Sequence, residues 1–155
     1  MRQIENKKAF FNYQILEKFE AGIALSGEEI KSLRAGQAAL AESYVLIRSG
    51  EAFLVNAHIS AYDKGDQSSE PKKDRKLLLH RKEIEYLAGK LSGQNLTIIP
   101  LRLYFRHSYA KIEIALARGK KKADKRETLK RKAIERDVEA GLRAEKLKAQ
   151  RQEKN

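Results

Sequence analysis

"NLTIIPLRLYFRHSYAKIEIALAR", residues 95–118, is the stretch on which the fold turns. Leu101, Leu103 and Phe105 alternate with Arg102, Tyr104 and Arg106. Beyond His107, Ile112, Ile114 and Leu116 alternate with Lys111, Glu113 and Ala115. A period of two sends alternate side chains to opposite faces of a strand. The stretch therefore predicts a long β-hairpin with Leu101, Leu103 and Phe105 on one face and Arg102, Tyr104 and Arg106 on the other. Pro100 has no N–H to give to a ladder, which predicts an edge position or a bulge at that point.

Working outward, the chain upstream is mostly β in pattern. "NYQILEKFEAGIAL" (12–25) mixes aromatic and β-branched residues with charges and suggests a first hairpin. "SGEEIKSLRAG" (26–36) has a Ser26 cap, acids in its first turn and a stop at Gly36, so a short helix is expected, with Glu28 and Glu29 serving the cap and the helix dipole. "AESYVLIRSGEAFLVNAHIS" (41–60) predicts a hairpin that turns at Ser49–Gly50, with Phe53, Val55 and Ala57 on one face of its second arm and Leu54, Asn56 and His58 on the other. "YDKGDQSSEPKKDRK" (62–76) is polar, holds glycine and proline, and reads as a mobile loop. In "KLLLHRKEIEYLAGKLSG" (76–93), Leu77, Ile84, Leu87 and Leu91 form one helical apolar stripe that carries His80 and stops at Gly93. Five or six strands with short helices between them suit a small closed or partly open barrel of the OB-like or split-barrel kind.

Charge divides the chain. Of 155 residues, 33 are Lys or Arg and 21 are Asp or Glu, a net charge of +12. Residues 119–155 hold 14 basic and 7 acidic side chains and no aromatic ring. More than half of the net charge thus lies in the last 37 residues, and a boundary follows near Gly119: a body over 1–118 and a basic tail over 119–155. In the tail Ile134, Val138 and Leu142 fall at i, i+4 and i+8, a thin stripe that Gly141 weakens. Such a helix frays alone and orders against a large anion or a groove.

A polyanionic partner fits this excess, nucleic acid before an acidic membrane. The absence of cysteine removes thiolate metal sites and disulfides and suits the cytoplasm. "MRQIENKKAFFNY" lacks the apolar core of a signal peptide, and no apolar run is long enough to span a bilayer. Nucleotide-binding, zinc-hydrolase and serine-hydrolase motifs are missing. Basic residues recur at Lys7 and Lys8, Lys31 and Arg34, Lys72 to Lys76, Arg81 and Lys82, and Lys120 to Arg126. Together with aromatics such as Tyr13 and Tyr104, they favour phosphate contacts and base stacking. The residues alone leave open a specific RNA-binding protein, a ribosomal structural protein, and a metal-dependent nuclease built on Glu28 and Glu29.

Longer motifs narrow the choice. "NKKA" (6–9), "FEAGIALSGEEIKSLRAG" (19–36), "SYVLI" (43–47), "GEAFLVNAHIS" (50–60), "RKLLLHRKEI" (75–84), "PLRLYF" (100–105) and "IEIALARGKKKADKRE" (112–127) together resemble the SsrA-binding protein (small protein B) family, over nearly the whole chain and in the right order. The resemblance implies a non-catalytic adaptor, without a cofactor, that carries transfer-messenger RNA to stalled ribosomes for trans-translation. There a degradation tag is added to the nascent chain, with elongation factor Tu and GTP delivering the charged RNA. It implies an OB-like closed barrel with embedded short helices that grips the D-loop and T-arm elbow of the RNA's transfer-RNA-like domain. It also implies a tail that is disordered when free and helical in the ribosome's decoding centre and empty message channel.

By the same resemblance Asn6 and Glu20 are RNA-site residues, with Lys7 in the same motif. Lys31, Arg34, His58, Lys120 and Lys121 are expected phosphate contacts, and Asp124, Lys125 and Arg126 form the tail's ribosome-binding signature. A carboxylate such as Glu20 accepts from base or ribose donors, which gives selectivity rather than bulk affinity; its alternative is an ion pair with Lys18 or Lys31. The chain departs from the family pattern at Phe10–Asn12, "FFN", where a basic residue followed by His is common; packing on the barrel is the reading for Phe10 and Phe11.

Overall fold

A computed structural model describes residues 3–61 and 70–153; the greater part of the expected mobile loop, residues 62–69, lies outside the described residues. The chain divides into two units, Met1–Gly119 and Lys120–Asn155.

The first unit runs β1 (Ile4–Glu5), α1 (Lys7–Asn12), β2 (Tyr13–Ile23), α2 (Gly27–Arg34), β3 (Ala38–Ala39), β4 (Tyr44–Arg48), β5 (Glu51–Val55), β6 (His58–Ile59), β7 (Arg75–Leu78), α3 (Arg81–Leu91), β8 (Thr97–Arg106) and β9 (Tyr109–Gly119). Seven strands pair in the order β1-β8-β4-β5-β7-β2-β9, β8 pairs with β9 as well, and β3 pairs with β6. The topology is OB-like, with helices embedded between the strands.

The hairpin at 97–119 forms as expected, and Pro100 marks a bulge: Pro100 pairs with Ile114 while Arg102 pairs with Glu113, so Leu101 is the extra residue. The bulge corrects one expected face. Leu103 and Phe105 join Ile98 in the main core, but Leu101 joins Ile99, Ala9, Ala115 and Ala117 in a second cluster on the other side of the strand. Alternation resets across an extra residue, so Leu101 and Leu103 point apart despite their spacing of two.

Two further expectations change. Residues 13–23 form one long strand rather than a hairpin, and Gly22 lies within it, paired with Lys111 on one side and Leu78 on the other. The segment has no turn dipeptide to fold it back. On the second arm of the 44–55 hairpin, Ala57 shares the main core with Leu54 and not the half-buried face of Phe53 and Val55. The strand ends at Val55, and Asn56 at φ 66° breaks the alternation, its amide donating to the Glu42 carbonyl at 3.2 Å. The turn of this hairpin is as read: Ser49 and Gly50 both take positive φ, 52° and 74°, the two-residue loop whose twist matches the strands.

The apolar stripe at 77–91 is also shared between two elements. Leu77 lies in β7, while Leu87 and Leu91 bring α3 onto the core. His80 is the N-cap of α3 rather than a residue on its face, and its backbone N–H donates to the Glu83 carboxylate at 3.2 Å. The core they cover is dense: Ala52, Leu54, Leu87, Ile98, Ile112 and Ile114 have no measurable exposure. Truncating Leu54 to Ala would cost about 2–5 kcal/mol.

Among its described residues the second unit holds one helix, α4 (Lys122–Glu153). Ile134, Val138 and Leu142 are each more than half exposed along it.

Candidate nucleic-acid interface

The side of the β2–β9–β8 ribbon away from the main core carries a connected set of polar and aromatic groups. Register places Glu20 of β2 opposite Glu113 of β9, and Glu113 opposite Arg102 of β8; Tyr104 is opposite Lys111. Two carboxylates directly across a ladder repel. Each is satisfied by its own cation. Arg102 donates to Glu113 at 2.9 Å, and Arg106 to Glu20 Oε1 at 3.2 Å. The Tyr104 hydroxyl donates to Glu20 Oε2, and the Arg102 guanidinium lies 5.3 Å from the centre of the Tyr104 ring.

Desolvation, reinforced by the hydrogen bond to Glu20 and its charge, pushes the Tyr104 phenol up to about 12, so it stays a proton donor throughout the neutral range. Glu20 keeps 35% of its side-chain surface open. Its partners are therefore Tyr104 and Arg106, and not the Lys18 or Lys31 expected for a bland surface carboxylate.

Asn6 lies elsewhere and is buried, 6% exposed. Its Nδ2 donates to the Pro100 carbonyl at 2.9 Å and its backbone N–H to the Leu101 carbonyl at 2.8 Å. Both acceptors belong to the β8 bulge; the Leu101 bond continues the β1–β8 register, and the side-chain amide serves the Pro100 carbonyl beside it. Asn6 thus locks the start of α1 onto β8 and leaves Lys7 and Lys8 exposed. Phe10 is 45% exposed, on the rim of a recess it shares with the strand residues Lys18, Arg102 and Glu113. Tyr13, expected as a stacking surface, instead packs half-buried on the second cluster.

Lys31 and Arg34 stand exposed on the last turns of α2. Arg34 lies over the Phe105 ring at 5.3 Å. His58 is half-buried in β6, beside α2. What holds α2 in place is a residue the sequence reading missed. Ser26 and Glu29 form a reciprocal capping box, Ser26 Oγ accepting from the Glu29 N–H at 3.2 Å and Glu29 Oε1 from the Ser26 N–H at 3.1 Å. The other oxygen of Glu29 accepts from Arg75 Nε at 2.5 Å. Arg75 was one cation among four in the run from Lys72 to Lys76. It is instead 2% exposed, and it also donates to the carbonyls of Ala57, Lys73 and Pro71. Burial works against ionisation of Glu29, but the Ser26 N–H, the Arg75 hydrogen bond and the charges of Arg75 and Lys73 outweigh it and hold the carboxyl below its ordinary value. Glu29 is committed to this structural role, and among the described residues no group of three acids, histidines or cysteines could hold a metal ion. The only sequence signal for Arg75 was its place two residues past the loop's last Lys pair, at the start of an apolar run.

In the second unit Asp124 accepts from the Lys121 backbone N–H at 3.3 Å, which caps α4, and the Thr128 hydroxyl accepts from Lys120 Nζ at 2.8 Å. Arg126 is exposed and Lys125 half-buried. Lys120 and Lys121 thus lie just ahead of this helix, Asp124 and Lys125 on its first turn and Arg126 at the start of its second. Among the described residues no helix is long and apolar enough to cross a membrane.

Comparison with known proteins gives a consistent set of relatives. A family model described as "SmpB protein" matches residues 3–144. An SsrA-binding protein of Carboxydothermus hydrogenoformans is 51% identical over 141 residues, covering 90% of this chain and 95% of the relative. One from Gloeothece citriformis is 51% identical over 141 residues, covering 90% and 91%. A solved structure described as "tmRNA-SmpB: a journey to the center of the bacterial ribosome" matches with a TM-score of 0.66 and 46% identity, over 77% of this chain and 85% of that one.

Proposed function

The chain belongs to the SmpB protein family, and we propose from that membership how its two units divide the family's work. It binds transfer-messenger RNA and delivers it to stalled ribosomes in trans-translation, as a non-catalytic RNA-binding adaptor. Residues 1–118 form a small closed barrel that grips the D-loop and T-arm elbow of the transfer-RNA-like domain, a reading supported by the pairing of β9 with β8. Glu20, oriented by Tyr104 and Arg106, is the selective contact. Lys7, Lys31, Arg34 and His58 supply phosphate contacts from α1, α2 and β6, and Lys120 and Lys121 add two more from the start of the tail. Asn6 acts by fixing the turn that presents Lys7. Elongation factor Tu with GTP meets the complex only through the RNA.

Residues 119–155 are the ribosome-facing part. The free tail is disordered and takes the α4 helix in the decoding centre and message channel, where Asp124 caps the helix and Lys125 and Arg126 meet ribosomal RNA. A lone helix with a thin apolar stripe and a Gly141 interruption gains little from its own sequence, and its net positive charge favours ordering against polyanionic RNA.

The observation that supports this division is the extent of the family match, which runs through the first unit and most of the second. Deleting residues 119–155 tests it. Transfer-messenger RNA binding is expected to survive and tagging of nascent chains on stalled ribosomes to be abolished. Loss of both activities in a body that still folds would overturn it.

A further inference from the structure

We propose that Glu20 reads a single unpaired guanine, through the base's Watson–Crick edge. The inference rests on the reading of the β2–β9–β8 face as the RNA interface and adds the identity of the base. A carboxylate has about four lone-pair sites, two on each oxygen. Here each Glu20 oxygen receives one donor from the protein, Oε2 from the Tyr104 hydroxyl and Oε1 from Arg106. Each oxygen therefore keeps capacity for one further donor, on a side chain that remains 35% open.

Two adjacent acceptors match two adjacent donors. Among the four RNA bases only guanine presents such a pair, N1–H beside the N2 amino group. Adenine and cytosine each set one amino group beside a ring acceptor, and uracil sets one N–H between two carbonyls. An internal ribose offers only its 2′-hydroxyl. A paired guanine has this edge occupied, so the site takes guanine only where a loop leaves it unpaired. Tyr104 and Arg106 are positioning residues: they touch Glu20, and Glu20 touches the base.

The test uses the full chain and the isolated transfer-RNA-like domain, with affinity measured at fixed salt for a series of RNAs in which each unpaired guanine is replaced singly by inosine. Inosine lacks only the N2 amino group. At one position the loss is expected to be about ten-fold for the natural chain. Glu20→Gln is expected to bind the parent RNA more weakly and to be indifferent to inosine at that position. Tyr104→Phe, which keeps the ring and frees the carboxylate, is expected to shrink the inosine effect without abolishing binding. If Glu20→Gln binds the parent RNA as tightly as the natural chain, the interface itself is misplaced. If Glu20→Gln binds weakly but no inosine position affects the natural chain, the interface stands and the guanine assignment falls. An inosine effect of equal size in both proteins, or a loss caused by 2′-deoxy substitution instead, also overturns the assignment.

Discussion

Arg75 and Glu29 join β7 to the first turn of α2 through a buried ion pair of 2.5 Å, with 1% and 7% of their side chains exposed. The contact links residues 46 positions apart in the chain. Arg75→Ala leaves the Glu29 charge buried with only Lys73 near it, and should lower unfolding free energy by about 3–5 kcal/mol, read by denaturant titration.

Glu29 also sets an acid limit. Its folded value lies below its ordinary 4.5, so the unfolded chain binds the extra proton as the pH falls through that range. Its contribution is complete above 4.5 and is lost as the pH falls through the folded value. Unfolding free energy measured against pH should decline there, and the Glu29→Gln chain, weaker at neutral pH, should show a shallower decline. An unchanged slope would remove Glu29 from the account.

Tyr104 gives a spectroscopic reading of the candidate interface. In an ultraviolet titration one tyrosine should ionise near 12, against an ordinary 10.0. Burial of the ring persists in Glu20→Gln, but the carboxylate's hydrogen bond and charge do not, so the value should move part of the way back.

Asn6→Ala separates a structural from a direct role. Removing its amide strips the Pro100 carbonyl of its donor and should cost about 1–3 kcal/mol of stability. The affinity lost for RNA should be matched by Pro100→Ala only if the bulge, and not the Asn6 side chain, meets the RNA.

Lys125→Ala combined with Arg126→Ala should leave affinity for free transfer-messenger RNA within about two-fold, since both lie in the unit assigned to the ribosome, while tagging on stalled ribosomes falls sharply. Normal tagging would remove this pair from the ribosome contact.

The sequence was most legible where local chemistry decides. Ser26 with Glu29 three residues on gave the α2 cap, Ser49–Gly50 gave the turn, and Pro100 gave the bulge. It was least legible where one residue resets a period. Pro100 marked where the β8 alternation breaks but not that Leu101 is the extra residue, and Asn56 was read as one more strand position although asparagine readily takes positive φ. Arg75 was hidden for a different reason. A buried cation looks like a surface one until its partner, 46 residues away, is brought to it. Glu20 was found by resemblance alone. Its orientation by Tyr104 and Arg106 spans more than 80 residues, and only strand register makes those groups neighbours.

The bulge at Leu101 makes β8 a strand whose sidedness depends on counting. Ahead of it the outward residues Ile99 and Leu101 are roofed by Ala9 of α1; past it the outward residues are Arg102, Tyr104 and Arg106. Removing Leu101 would thin the roofed cluster yet keep every later side chain on its present face. Inserting one residue beyond it would send Tyr104 and Arg106 toward the core and Leu103 and Phe105 into water, stripping Glu20 of both partners without altering a single side chain of the interface. Along this strand the tolerated change in length is one residue, in one direction, at one place.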